Sequence, residues 1–141
     1  MGGNSYGTMI KQIAHVCIHA ADLDATRHFY TRALGMETGF EFERDGRMVG
    51  FYLKVGNGTF IEVFQGEAGG HGNIKHLAIE VDDLDSVINR IRECGYEVGD
   101  KKLGADESWQ AWTTDPNGVR IEFHEYTRAS RQLTGEKCAL H

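Results

Sequence analysis

Ile13-Ala14-His15-Val16-Cys17-Ile18 and Ile74-Lys75-His76-Leu77-Ala78-Ile79 are one stretch used twice, at a shift of 61 residues. The same shift lays Asp22-Leu23-Asp24 on Asp83-Leu84-Asp85. Further on, the register slips to 60. Gly35 then meets Gly95, Glu37 meets Glu97, Asn57-Gly58 meets Asn117-Gly118, and Ile61-Glu62 meets Ile121-Glu122. Ordered matches at a nearly constant offset mark an internal repeat, one supersecondary unit built twice.

Each half reads as βαβββ. Residues 12–19 and 74–81 alternate and carry Ile and Val, which suits strands. Asp22 and Asp83 stand where they would cap helices of about a dozen residues, which Gly35 and Gly95 would close. Strands are expected near 36–43, 48–55 and 59–65, and again near 96–102, 109–114 and 119–125. Turns at Gly56-Asn57-Gly58 and Asp115-Pro116-Asn117-Gly118 separate the last two strands of each half. The expectation is a single α+β domain: module one over 10–65, a glycine-rich linker over 66–73, module two over 74–125, and a tail over 126–141 without clear periodicity.

Composition narrows the function classes. The chain has 141 residues, 40% hydrophobic and 26% charged, which are globular proportions. Its apolar runs are a few residues long, so no helical membrane span is expected. The opening residues lack the charged-then-apolar pattern of a secretory signal. A net charge of −6 with scattered Lys and Arg argues against nucleic acid. Cys17, Cys94 and Cys138 are an odd set without CxxC spacing, which suits reduced thiols and a cytoplasmic setting.

Strand parity sorts the side chains. Val16 and Ile18, Ile61 and Val63, Leu77 and Ile79, and Ile121 and Phe123 share the faces that pack on helices. The opposite faces collect His15, Cys17, His19, Phe60, Glu62, Phe64, His76, Ala78, Arg120, Glu122 and His124. A half-solvated sheet could carry these as its wet side. The apolar members Phe60, Phe64, Cys17 and Ala78 argue instead for a partly enclosed cavity. Two carboxylates enclosed there need compensation, which one divalent cation supplies while using the imidazole lone pairs. The set His15, Glu62, His76 and Glu122 suits Ni, Co, Zn, Mn or Fe better than Ca or Mg.

These motifs carry a resemblance. With Phe29-Tyr30, Leu34-Gly35-Met36, Phe60-Ile61-Glu62 and Asp115-Pro116-Asn117-Gly118 they resemble the vicinal oxygen chelate superfamily over about residues 10–125. That superfamily includes glyoxalase I, bleomycin-resistance proteins, fosfomycin-resistance enzymes, epimerases and extradiol dioxygenases. The resemblance implies two βαβββ modules curled into a cup-shaped mixed sheet, helices outside, around one metal. It also implies a homodimer in which modules combine to complete a site. The His, Glu, His, Glu set is most similar to glyoxalase I. By that resemblance the metal would bind adjacent oxygens of a small α-hydroxycarbonyl and stabilise an enediolate. Glu122, with Glu62 as the second candidate, would move a proton between neighbouring carbons. His19, Phe60, Phe64, Arg120 and His124 are candidate substrate contacts. Glyoxalase I enzymes commonly hold glutathione with an Arg four residues after the first His and an Asn four after the first Glu. Here those places are His19 and Gly66.

Three other readings stand beside this one: a metal-dependent epimerase or isomerase without glutathione, an iron dioxygenase, and a non-catalytic binding protein. Cys17 reads as a small buried hydrophobe. Trp109 and Trp112 read as packing residues, and Lys101 and Lys102 as solvated edge charges. Arg128, Arg131 and Lys137 belong either to a frayed end or to a subunit contact.

Overall fold

The aliphatic faces of the strands dictate where the helices go, and both halves follow the same plan. The computed structural model describes residues 9, 11–70, 72 and 74–140. Residues 10, 71, 73 and 141, which fall inside the ranges expected for module one, linker and tail, lie outside the described residues. Module one runs β1 (His15–Ala20), α1 (Leu23–His28), a π-helical turn (Phe29–Ala33), β2 (Glu37–Arg44), β3 (Arg47–Gly56) and β4 (Thr59–Gln65). Module two runs β5 (Leu77–Glu80), α2 (Leu84–Glu93), β6 (Lys102–Leu103), β7 (Trp109–Thr114) and β8 (Arg120–Glu125), followed by α3 (Arg131–Thr134). The fold is α+β with two βαβββ modules.

Two four-stranded mixed sheets result, ordered β1-β4-β3-β2 and β5-β8-β7-β6. β1 pairs parallel with β4, and β5 parallel with β8. The remaining pairs are antiparallel. β1 and β5 are therefore edge strands of their sheets.

The helix boundaries follow local chemistry. The Ala25 N–H donates to Asp22 Oδ1 at 3.0 Å and the Ser86 N–H to Asp83 Oδ1 at 3.2 Å, satisfying donors that a helix start leaves unpaired. Hydrogen bonds from Ser86 hold the Asp83 carboxyl below its ordinary pKa. After α1 the chain widens, so the Leu34 N–H reaches the Phe29 carbonyl at 3.2 Å. That wide turn buries Phe29, Tyr30 and Ala33 together. Gly35 and Gly95 end the helical segments at φ 74° and 86°, a conformation that favours glycine.

One core joins both modules, with Phe51, Leu53, Val63, Leu84, Ile91 and Ile121 fully buried. A polar lock runs alongside it. The Tyr30 hydroxyl donates to Asp115 Oδ2 at 2.7 Å, while Asp115 Oδ1 accepts from the Asn117 and Val119 amides at 2.8 Å. Asn117 Nδ2 donates to Thr26 Oγ1 at 3.0 Å, and its Oδ1 accepts from the Ala21 amide at 3.1 Å. The Asp115-Pro116-Asn117-Gly118 turn thus separates two strands and also clamps module two to α1.

Two expectations change. The strand expected near 96–102 shrinks to Lys102–Leu103. Tyr96 turns inward to meet the Phe29 ring edge-on at 5.0 Å, which draws the chain off the sheet. The segment then bonds to β7 at isolated points, from Gly99 N–H to Trp112 O and from Thr113 Oγ1 to Glu97 O. The tail is docked as far as Gln132 and is mostly exposed over the described residues beyond it. Ser130 is fully buried and accepts from Ser108 Oγ at 2.7 Å, and the Arg131 N–H donates to Asp106 O at 2.9 Å. These contacts are polar and irregular, so no hydrophobic period announces them.

Candidate functional site

Strand register places the chemistry. In module one Cys17 faces Glu62 across β1 and β4, and in module two Ala78 faces Glu122 across β5 and β8. The histidine of each half stands two residues before that partner, one step along the same face. The diagonal is the same in both halves. His15 Nε2 lies 3.8 Å from Glu62 Oε2, and His76 Nε2 lies 3.6 Å from Glu122 Oε1. The imidazoles are about 40% exposed, whereas the Glu62 and Glu122 side chains are 17% and 12% exposed.

Each pair fits two corners of a metal site. Ligands at about 2.0–2.2 Å from one ion sit roughly 3.0–3.5 Å from each other. The observed separations exceed this by a few tenths of an ångström, within reach of a side-chain rotation. The four residues do not gather around one point within the chain. Among the described residues no group of three His, Cys, Asp or Glu could hold an ion. The structure brings His15 to Glu62 and His76 to Glu122, as two half-sites.

An aromatic neighbour supports each pair. Tyr52 faces Glu62 in the β3–β4 register, and its hydroxyl lies 3.2 Å from His15 Nδ1. Burial, and then Glu62, raise the Tyr52 pKa. Trp112 faces Glu122 and meets the His76 ring edge-on at 4.8 Å. The sequence reading missed Tyr52 and took Trp112 for packing, yet the signal was present. A shift of 60 lays Tyr52 on Trp112, on the faces that hold the glutamates. Trp109 does pack against the core, beneath Lys101 Nζ at 4.8 Å. Lys101 is also paired with Asp85 at 3.3 Å rather than simply solvated, while Lys102 is exposed.

The two half-sites differ around this common frame. In module one the Phe42 ring meets Phe64 at 4.6 Å, and Tyr52 meets Phe40 at 4.2 Å and Phe60 at 5.3 Å. Gly50 permits this wall. A Cβ there would meet the Val63 carbonyl and come within 2.8 Å of the Phe64 ring. In module two the wall gives way to charge. Arg120 lies over the Trp112 ring at 4.5 Å, and His124 is 9% exposed with Nε2 2.8 Å from Glu122 Oε1. A cleft of about 640 Å³ runs between β1 and β5, lined in part by Cys17, His19, Lys75, His76 and Arg120.

Cys17 is exposed, not buried as its type suggested, because parity puts it on the same face as His15. Burial of its sulfur and the adjacent Glu62 raise the thiol pKa, so it is a poor nucleophile. His19 lies over Gly66. A Cβ at position 66 would stand 2.9 Å from His19 Nδ1. The two positions where glutathione-binding residues were sought are therefore in mutual contact.

The comparisons with known proteins agree with this fold. The sequence model described as the Glyoxalase/Bleomycin resistance protein/Dioxygenase superfamily matches residues 12–123. A probable lactoylglutathione lyase of Vibrio parahaemolyticus is 30% identical over 142 residues, covering 88% of this chain and 97% of the relative. An ethylmalonyl-CoA/methylmalonyl-CoA epimerase of Cereibacter sphaeroides is 30% identical over 112 residues, covering 69% and 83%. The crystal structure of a glyoxalase family protein from Enterococcus faecalis is 28% identical, with a TM-score of 0.70 over 84% of this chain and 100% of that one.

Proposed function

The chain belongs to the Glyoxalase/Bleomycin resistance protein/Dioxygenase superfamily, and on that premise we propose that it is a metal-dependent lyase or isomerase of glyoxalase I type. Its substrate is a small α-hydroxycarbonyl compound of the hemithioacetal kind. The observation that carries this reading is the matched pair of half-sites, His15–Glu62 and His76–Glu122, in the same register on two sheets. A wet sheet face has no need to repeat an imidazole–carboxylate diagonal.

His15 and Glu62 of one copy and His76 and Glu122 of a second would hold one divalent ion, of the Ni, Co, Zn, Mn or Fe type. The unpaired edges of β1 and β5 support such pairing between copies. When bound, the ion supplies Lewis acidity that makes a C–H beside a carbonyl easier to deprotonate. Glu122 takes that proton and returns it to the adjacent carbon, a task suited to a mostly enclosed carboxylate. Glu62 is the second candidate for this step. Phe60 and Phe64 wall the substrate away from water, and Arg120 and His19 face the cleft through which it enters.

The contact between His19 and Gly66 favours a second reading, a metal-dependent epimerase or isomerase that does not use glutathione. The 30% identity to an epimerase supports it as well.

Elemental analysis tests both readings together. About one divalent metal per chain is expected, strongly reduced in Glu122→Ala and in Glu62→Ala. Turnover of the methylglyoxal–glutathione hemithioacetal then separates the first reading from the second. A protein that takes up none of Ni, Co, Zn, Mn or Fe refutes both. Sedimentation of a monomer that still binds one ion tightly refutes the shared site.

A further inference from the structure

Glu122 has a neighbour that Glu62 lacks. At the shift of 60, the counterpart of His124 is Phe64. The repeat therefore surrounds one glutamate with aromatic rings and gives the other a buried imidazole. His124 is 9% exposed, and its Nε2 sits 2.8 Å from Glu122 Oε1. The contact is out of line for a hydrogen bond, so Nε2 has no partner among the described residues. His76 Nε2 approaches the same oxygen, at 3.6 Å. A buried donor this close to an acceptor is satisfied by a small rotation of the carboxylate.

The His124 ring is backed from the C-terminal segment. Nδ1 lies 4.0 Å from Asp106 Oδ2. That oxygen accepts from Gln132 Nε2 at 2.7 Å, and Asp106 Oδ1 accepts from the Ser108 amide at 3.1 Å. The Asp106 backbone carbonyl accepts from the Arg131 amide at 2.9 Å. Ser108 Oγ ties Gln132 Oε1, at 3.0 Å, to the buried Ser130. Hydrogen bonds thus run from α3 to Asp106, whose carboxylate stands against the His124 ring at 4.0 Å, and the far side of that ring faces Glu122.

We propose that His124 is a positioning residue that holds the Glu122 carboxylate by a hydrogen bond from Nε2, and that the docked C-terminal turn, through Gln132 and Asp106, fixes the ring that does so. The tail whose sequence carries no pattern then acts as the back wall of one half-site. The catalytic consequence rests on Glu122 moving the proton, as proposed above. The hydrogen bond does not.

Ring nitrogen spectra of metal-free, 15N-labelled protein in alkaline buffer test the bond without any activity. The His124 proton is expected on Nε2 as a single sharp set of ring signals, kept there in Asp106→Asn, whose amide can donate to the bare Nδ1, and broadened by ring motion in Gln132→Ala. A proton on Nδ1 with Nε2 bare overturns the proposal. The kinetic arm uses the metal-loaded enzyme and the methylglyoxal–glutathione hemithioacetal. His124→Phe, checked for an intact melt, should lower kcat about 10- to 100-fold at nearly constant KM. His124→Gln, which restores a donor near the Nε2 position, should recover most of that loss. Unchanged kcat in His124→Phe overturns the role. Complete loss of metal from His124→Phe, as in Glu122→Ala, makes His124 a ligand and overturns it too. If the wild-type protein turns over no hemithioacetal, the proposed reaction fails, and the ring spectra decide His124 by themselves.

Discussion

Tyr30→Phe removes one oxygen atom from the lock between the modules. The Tyr30 hydroxyl donates to Asp115 Oδ2 at 2.7 Å, and both residues are buried. The ring stays, so no cavity opens. What is lost is a hydrogen bond to a charged group, worth about 1.5–3 kcal/mol. Asp115 Oδ1 keeps its two backbone donors, so the turn itself should persist. We expect about 2 kcal/mol of lost stability near neutral pH, or a melting point lowered by roughly 4–8 °C for a chain of this size. The effect also has a pH signature. Burial first, and then Asp115, raise the Tyr30 pKa well above 10.0. An unfolded chain releases this proton near pH 10.0, whereas the folded chain holds it to higher pH. Above that point the folded state binds more protons, so its stability falls as pH rises, by up to about 1.4 kcal/mol per pH unit. Below it the contribution is fully present. Tyr30→Phe should therefore lose less stability with rising alkalinity, and the gap between the two proteins should narrow. Tyr52 and Tyr126, whose pKa values are also raised, remain in both proteins and cancel in the difference. Urea denaturation followed by Trp fluorescence, at neutral pH and at several values above 10, gives both quantities. A difference under about 0.5 kcal/mol at neutral pH with unchanged m-value refutes the lock. Parallel alkaline limbs refute the linkage.

Three further predictions follow from the half-sites. Gly50→Ala should destabilise by about 1–3 kcal/mol, because the new methyl group meets the Val63 carbonyl and the Phe64 ring; a thermal melt within a degree of wild type would contradict this. Tyr52→Phe should weaken ion binding about 10- to 100-fold by freeing the His15 ring, which a cobalt titration reads directly. Gly66→Ala should destabilise on its own and lose most of that penalty in the His19→Ala background, so additive melting shifts in the double variant would disprove the contact.

Much of the architecture was legible because it is written twice. One repeat, one parity rule and two aspartate caps were enough for the α+β class, the two-module plan and the shared faces. Parity also put His15 with Glu62 and His76 with Glu122. What escaped has physical causes. Tyr96 is drawn from its strand by a contact with Phe29, more than 60 residues away, which no local pattern encodes. The docking of the tail depends on Ser108, Ser130, Asp106 and Gln132, whose bonds follow no period. Cys17 obeyed strand parity over the usual preference of its residue type for burial. The separation of the quartet into two pairs was beyond local reasoning too, since it depends on how two sheets sit against each other.

The seating of His19 over Gly66 also constrains how this lineage can change. A side chain at 66 meets the imidazole at 2.9 Å and has to displace it, so a gain there is penalised while the ring is in place. Amino-acid replacements at these two sites are thus ordered. A gain at 66 costs less after a loss at 19, and that intermediate carries neither group. The easier route between a ring at 19 and a side chain at 66 therefore passes through a protein that has neither.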